Sequence, residues 1–214
     1  MKITKGQIVV IGLVLVAFAL SIYFYPQMPE RMASHWNARG EVDGYMSKDA
    51  SLFIMPCVMA GIALLLYFVP YLDPLRRNIE KFRPYYEGFI IFMCIFMLAI
   101  QYHIILWNLG IQISTNIIIP VGIGLLFYYC GILCERAKRN WFIGIRTPWT
   151  LSSDSVWEKT HRVGGKLFKV SGVIALVGAA FQRYAIFFVI VPMIVVSVFT
   201  IVYSLVIYQQ EKAG

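Results

Sequence analysis

Six runs of apolar residues constrain this chain more than any other feature. They fall at about residues 8–25, 52–71, 85–107, 117–133, 166–181 and 185–208. A helix crossing the roughly 30 Å hydrocarbon core of a bilayer needs about 20 such residues. Inside lipid, every backbone N–H and C=O must be bonded within the protein, which leaves helices as the economical answer. The sequence therefore predicts an all-α membrane protein with six transmembrane helices, resident in the cell membrane as a multi-pass protein. Composition agrees, because 59% of the 214 residues are hydrophobic and 14% are charged. The first run resembles a secretory signal, and Ala17-Phe18-Ala19 imitates a cleavage site. The run continues past that point to Tyr25, so it reads as an uncleaved first span.

The net charge of +8 could suggest a nucleic-acid partner, but the charges gather at the ends of the apolar runs. There they act as orientation signals and as contacts to anionic lipids, and no direct nucleic-acid contact is expected. With the N- and C-termini in the cytoplasm, the inner segments hold 15 of the 19 lysines and arginines and the outer segments hold 4. That bias puts the polar segment 26–50 outside and the connection 134–165 inside. The expected organisation is 1–72 for two spans and the outer loop, 73–134 for spans three and four, and 135–214 for the inner loop and spans five and six. Cys57, Cys94, Cys130 and Cys134 sit in or beside apolar runs with no CxxC pair, so they read as small buried hydrophobes.

The outer loop carries turn signals at Arg39-Gly40 and Asp43-Gly44, where glycine supplies φ > 0. Residues 32–37, just before these, can be extended, which predicts a structured, hairpin-like cap. Trp36 and Tyr45 suit the headgroup level. His35 reads best as an orienting hydrogen bond to Asp43 or to a backbone carbonyl. The sharper alternative is an outer vestibule lined by Gln101 and His103 and capped by His35. A zinc site built on His35, His103 and Asp43, with Glu41 in reserve, is the weak form of that alternative. No metal and no cofactor is expected.

The inner loop contains Asn140-Trp141-Phe142-Ile143-Gly144-Ile145-Arg146-Thr147-Pro148-Trp149-Thr150-Leu151. Pro148 fixes its own φ and pushes Thr147 towards an extended conformation. Ser153 or Ser155 can cap the helix that follows, and Ser155 with Glu158 has the form of a capping box. In that helix Lys159, Arg162, Lys166 and Lys169 lie within about 80° of one another, with Trp157, His161, Gly164 and Phe168 opposite. The pattern predicts a cytoplasmic amphipathic helix on the membrane surface that turns at Gly164-Gly165 into span five. Ser171, Ala175 and Ala179 then form a small-residue stripe for close helix packing. Two readings of the loop stand side by side. In one, Arg146 snorkels and the loop braces the spans; in the other, Trp141, Trp149 and Trp157 stack around Arg146 and an exposed face binds a partner.

Two segments resemble known families. Residues 29–48, with His35-Trp36-Asn37, Gly40 and Asp43-Gly44-Tyr45, look like the DUF1648-type outer loop of many small bacterial and archaeal membrane proteins. The 140–151 motif, followed by Val156-Trp157 and Thr160-His161-Arg162, resembles the SdpI immunity-protein family. The resemblance implies protection of the cell against a secreted antimicrobial peptide toxin, and signal transduction in which a transcriptional repressor is held at the membrane. It implies that His35, Trp36, Asn37, Asp43, Tyr45, Lys48, Gln101 and His103 meet the toxin or another ligand. It also implies that Asn140, Gly144, Arg146, Thr147, Pro148, Trp149, Thr150, Trp157 and His161 meet the cytoplasmic partner, with membrane lipids around both. The alternatives are a metal-dependent membrane hydrolase and a small-molecule or lipid-binding membrane protein. The sequence has no HExxH, no GxSxG and no acidic pair within a span, so no enzyme activity and no catalytic residue is expected. The spans carry almost no charge and show no broken-helix pair, which ranks a transporter lowest.

Overall fold

A computed structural model describes residues 3–213. Its elements, in chain order, are α1 (Lys5–Phe24), β1 (Arg31–Trp36), β2 (Val42–Ser47), α2 (Lys48–Leu72), the short α3 (Arg76–Glu80), α4 (Arg83–Asn108), α5 (Thr115–Arg136), the short α6 (Pro148–Ser152), α7 (Asp154–Gly178) and α8 (Ala185–Ala213). Among the described residues, α1, α2, α4, α5 and α8 are long and apolar enough to cross a membrane. The protein is thus mostly helical and multi-pass, but it is not purely α, because the 26–50 segment folds into an antiparallel β-hairpin.

The helices form two halves. In the first, α1 and α2 pack against α4; in the second, α7 packs against α5 and α8; α4 and α5 join them. The first half is locked by two prolines of α2. A proline lacks the N–H that would bond the carbonyl four residues earlier, so Pro56 frees Leu52 O and Pro70 frees Leu66 O. Ser21 Oγ of α1 donates to Leu52 O at 2.5 Å, and Tyr86 Oη of α4 donates to Leu66 O at 2.7 Å. Gln101 Nε2 then donates to Ser21 Oγ at 2.8 Å and to Ala17 O at 2.9 Å. These bonds tie the three helices with polar groups that lipid could not satisfy.

The second half is held by glycine. Gly124 of α5 lies against the backbone of Gly172 on α7, and Gly131 lies against Gly165 in the same way. A Cβ at any of the four would strike main chain, so α5 and α7 pack backbone to backbone. Ser171 and Ala175 of the expected stripe are buried beside these contacts.

This packing corrects one expectation. The amphipathic segment and the fifth apolar run are a single unbroken helix, α7, with no turn at Gly164-Gly165. Those glycines are sites of close approach, Gly164 to Ile145 and Thr200 and Gly165 to Gly131 and Glu135. The cap is Ser153, whose Oγ accepts from Val156 N at 3.3 Å, and Ser155 already lies within the helix. One cysteine also departs from expectation, since Cys57 is exposed on the outside of α2 while Cys94 and Cys134 are buried.

Candidate functional site

The hairpin and the 137–152 loop lie at opposite ends of the bundle, and each straps the two halves together. At the hairpin end, the amide of Asn108, the last residue of α4, pairs with the backbone of Ala33. Its Oδ1 accepts from Ala33 N at 2.8 Å, and its Nδ2 donates to Ala33 O at 3.0 Å. The side chain takes the place of a neighbouring strand. Asn116 of α5 donates to Ala38 O at the hairpin tip and to Gln182 O ahead of α8, both at 3.1 Å. The tip is organised by Asn37, whose Oδ1 accepts from the backbone N–H groups of Arg39 and Glu41. Gly40 follows at φ 80°. Hydrogen bonds from Asn37 and Arg39 hold the Glu41 carboxyl below the ordinary carboxylate value.

The sequence-predicted outer residues divide into separate groups here. His35 and Asp43 pair across the strands at 2.5 Å on the exposed side of the hairpin. Trp36 turns the other way, its ring 5.3 Å from His103 and 5.3 Å from Trp107. His103 is buried and meets Thr115 Oγ1 at 3.0 Å through Nε2. Gln101 faces α1, as described above, and does not share a vestibule with His103. Two residues apart on a helix is about 200° of rotation, so the two side chains diverge. Trp36, rather than His35, covers His103. His35, Asp43 and His103 are therefore not one ligand set, and among the described residues no three His, Cys, Asp or Glu groups converge as metal ligands. Lys48 closes the base of the hairpin, with Nζ 2.7 Å from Glu30 Oε1 and 4.6 Å from the centre of the Tyr25 ring. Tyr45 remains exposed under Arg31, whose Cζ lies 5.5 Å from the ring centre.

At the opposite end, fully buried Asn140 shapes the loop. Its Oδ1 accepts from Phe142 N and Ile143 N, and its Nδ2 donates to Lys138 O and Ile143 O. Gly144 follows at φ 109°. This turn aims Ile145 N at His161 Nε2, 2.9 Å away, while His161 Nδ1 bonds to Trp157 O at 2.9 Å. An Nε2 that accepts carries no proton, so His161 is the neutral Nδ1–H tautomer. Burial pushes its pKa down to about 4. Its ring stacks on Trp157 at 3.9 Å, and Trp157 Nε1 donates to Ala137 O at 2.9 Å. Thr147 and Thr150 form a reciprocal capping box around Pro148, as the extended Thr147 predicted by the sequence requires. Thr147 Oγ1 also lies 3.0 Å from Ser204 Oγ of α8.

The loop reaches the first half through residues that sequence reasoning missed. Asp73 is buried and accepts from Leu75 N at 2.6 Å and from Trp141 N at 2.8 Å. Asn78 Nδ2 donates to Arg139 O at 2.8 Å. Asp73-Pro74 is a recognisable capping signal before a helix, but nothing local announces its second bond. The aromatic cage also fails to form. Trp157 is buried on His161, Trp149 is half-buried, and Arg146 is exposed and touches Trp141 only through that residue's carbonyl, at 3.1 Å. Of the residues assigned to a partner, Asn140, Thr147, Thr150, Trp157 and His161 build the loop from within. Gly144, Arg146 and Pro148 are left on its surface, with Trp149 at the edge.

Comparison with known proteins matches both ends. Residues 12–60, which include the hairpin, match the domain of unknown function DUF1648. The immunity protein SdpI of Bacillus subtilis (strain 168) is 28% identical over 193 residues, covering 90% of this chain and 90% of that protein. No solved structure matches the chain. Residues 136–204, from the end of α5 through the Asn140 turn and α7 into α8, match the SdpI/YfhL protein family model. With its buried Asn140, Trp157 and His161 inside that match, this stretch of the chain is similar to the SdpI/YfhL protein family.

Proposed function

We propose that this chain is a membrane immunity protein that meets a secreted peptide toxin at its hairpin and signals to the cytoplasm through its 140–152 loop. The observation that carries the reading is the pair of straps across one seam. Asn108 and Asn116 bind the hairpin to both halves at one end, and Asp73, Asn78 and Thr147 bind the loop to both halves at the other. A ligand that favours one separation of the halves at the hairpin must then bias the loop, which is what coupling between two sites requires. The similarity to a protein named for immunity supports the class. The excess of basic residues around the loop end supports a cytoplasmic loop and an outward hairpin. The apolar C-terminal part of α7, within the fifth apolar run, would then be the sixth crossing, while its first turns, which carry Glu158, Lys159 and Arg162, stay on the cytoplasmic side.

In this reading the toxin meets exposed His35, Asp43 and Tyr45 and the rim of Trp36. A repressor, where one is present, meets Arg146, Pro148 and Trp149. The role is read as non-enzymatic: both nitrogens of His161 are committed to backbone, and the sequence carries neither HExxH nor GxSxG. The test is survival of sensitive cells challenged with a secreted membrane-active peptide. Expression of the chain should raise the inhibitory dose roughly tenfold or more, equivalent to 1.4 kcal/mol or more of sequestration. Retention of full protection by a membrane-inserted His35→Ala/Tyr45→Ala double variant would remove the hairpin from the mechanism.

A further inference from the structure

An apolar cleft of about 340 Å³ lies in the seam beneath the loop. Leu66 comes from α2, Phe89 from α4, Leu133 from the end of α5 and Phe168 from α7, while Phe142 and Arg146 close it from the loop. Its walls therefore belong to both halves. The volume is at the lower end of pockets that hold small ligands. Tyr86, which also lines it, has already given its hydroxyl to Leu66 O. Arg146 differs from the rest of the wall. It is exposed, it donates to Trp141 O, and none of the ion pairs among the described residues involves it. No carboxylate lines the cleft, and at the same end of the bundle Glu135 pairs with Lys169 and Glu158 with Lys138. A guanidinium has five N–H donors, so most of this one's capacity is open.

An apolar slot at the end of membrane helices, with one open guanidinium at its mouth, is complementary to an anionic amphiphile. We propose that the cleft seats one acyl chain of an anionic phospholipid, with the lipid phosphate held by Arg146. A planar guanidinium forks onto phosphate oxygens with two parallel bonds. A free phosphate would use the fork and leave the apolar walls unfilled. A zwitterionic lipid would fill the walls but bring an ammonium beside the arginine. The acyl chain would touch α2, α4, α5 and α7 together, so the bound lipid would set the width of the seam. The inference stands on the cleft and on Arg146, independently of the immunity reading.

The probe is phosphatidylglycerol. The full chain is reconstituted in phosphatidylcholine bilayers doped with phosphatidylglycerol, extracted in mild detergent, and its retained lipid is counted by native mass spectrometry. The wild-type chain should keep one phosphatidylglycerol. Arg146→Gln should lower retention roughly tenfold or more, the scale of one charge-assisted contact, and Arg146→Lys should keep part of it. Cys130→Phe, which fills the cleft from its wall, should also abolish retention with the thermal midpoint unchanged. Arg146 is exposed, so Arg146→Gln tests the idea even if Cys130→Phe fails to fold. Equal retention of phosphatidylcholine, undiminished retention in Arg146→Gln, undiminished retention in folded Cys130→Phe, or displacement of the lipid by inorganic phosphate would each overturn the proposal.

Discussion

Replacing Gly144 with alanine should loosen the loop through two separable effects. The residue sits at φ 109°, a region that costs a residue with a Cβ about 1–3 kcal/mol. The added Cβ would also run into His161 Nε2, the atom that accepts the Ile145 N–H. Displacing the ring leaves a buried donor and a buried acceptor unpaired, at about 1–3 kcal/mol. Together these give roughly 2–6 kcal/mol, enough to open the loop locally without unfolding the bundle. Hydrogen exchange of the Ile145 amide in detergent is the direct measure, and it should accelerate by a factor of roughly 30 or more. A double-mutant cycle with His161→Ala separates the terms. With the imidazole gone, Gly144→Ala should cost only the backbone strain, about 1–3 kcal/mol. An unchanged Ile145 exchange rate in Gly144→Ala, or strict additivity in the cycle, would refute the argument that this glycine exists to admit His161.

Other consequences can be measured in the same way. Because burial holds His161 down at about 4 against an ordinary 6.5, the unfolded chain takes up its proton first as pH falls. The stabilisation is complete above about pH 6.5 and fades towards pH 4, a loss of about 3 kcal/mol that a denaturation series should show and His161→Asn should flatten. Asn108→Ala should leave both backbone groups of Ala33 without their partner, at about 1–3 kcal/mol, seen as faster exchange at Ala33 while Ile145 stays protected. His35→Ala should shift stability by less than about 1 kcal/mol, since its pair with Asp43 is exposed. Gly165→Leu should force α5 from α7 and cost about 1–3 kcal/mol or more, whereas Gly12→Ala, which faces open space, should be neutral or gain up to about 1 kcal/mol; thermal midpoints in detergent compare the pair.

Much of the architecture was legible because lipid enforces it. Five of the six apolar runs lie in helices whose ends differ from them by a few residues, while the fifth begins twelve residues inside α7. The hairpin turns at Arg39-Gly40 as expected, whereas Asp43-Gly44, read as a second turn, lies within β2 opposite His35; His35 meets Asp43 as its simpler reading expects. What was not legible depends on groups far apart in the chain. Gly164-Gly165 looked like a bend because glycine permits one, yet the pair serves close packing, and only knowledge of Gly131 and Ile145 could show that. Gln101 and His103 looked like neighbours in one vestibule, but helical rotation sends one to α1 and the other under Trp36. The tryptophans around Arg146 looked like a cage, while burial favoured Trp157 stacking on His161. Asp73 gave a local capping signal and hid its bond to Trp141.

The chain passes from the first half of the bundle to the second only once, through residues 109–114, where Gly110 turns at φ 92°. The DUF1648 match ends well before that link and the SdpI/YfhL match begins well after it. Each half also has its own means of cohesion, hydroxyls on proline-freed carbonyls in one and facing glycines in the other. Such a molecule is modular in its cohesion. Each half holds itself together, so the asparagines and the aspartate at the seam decide how the two are joined rather than whether each one folds.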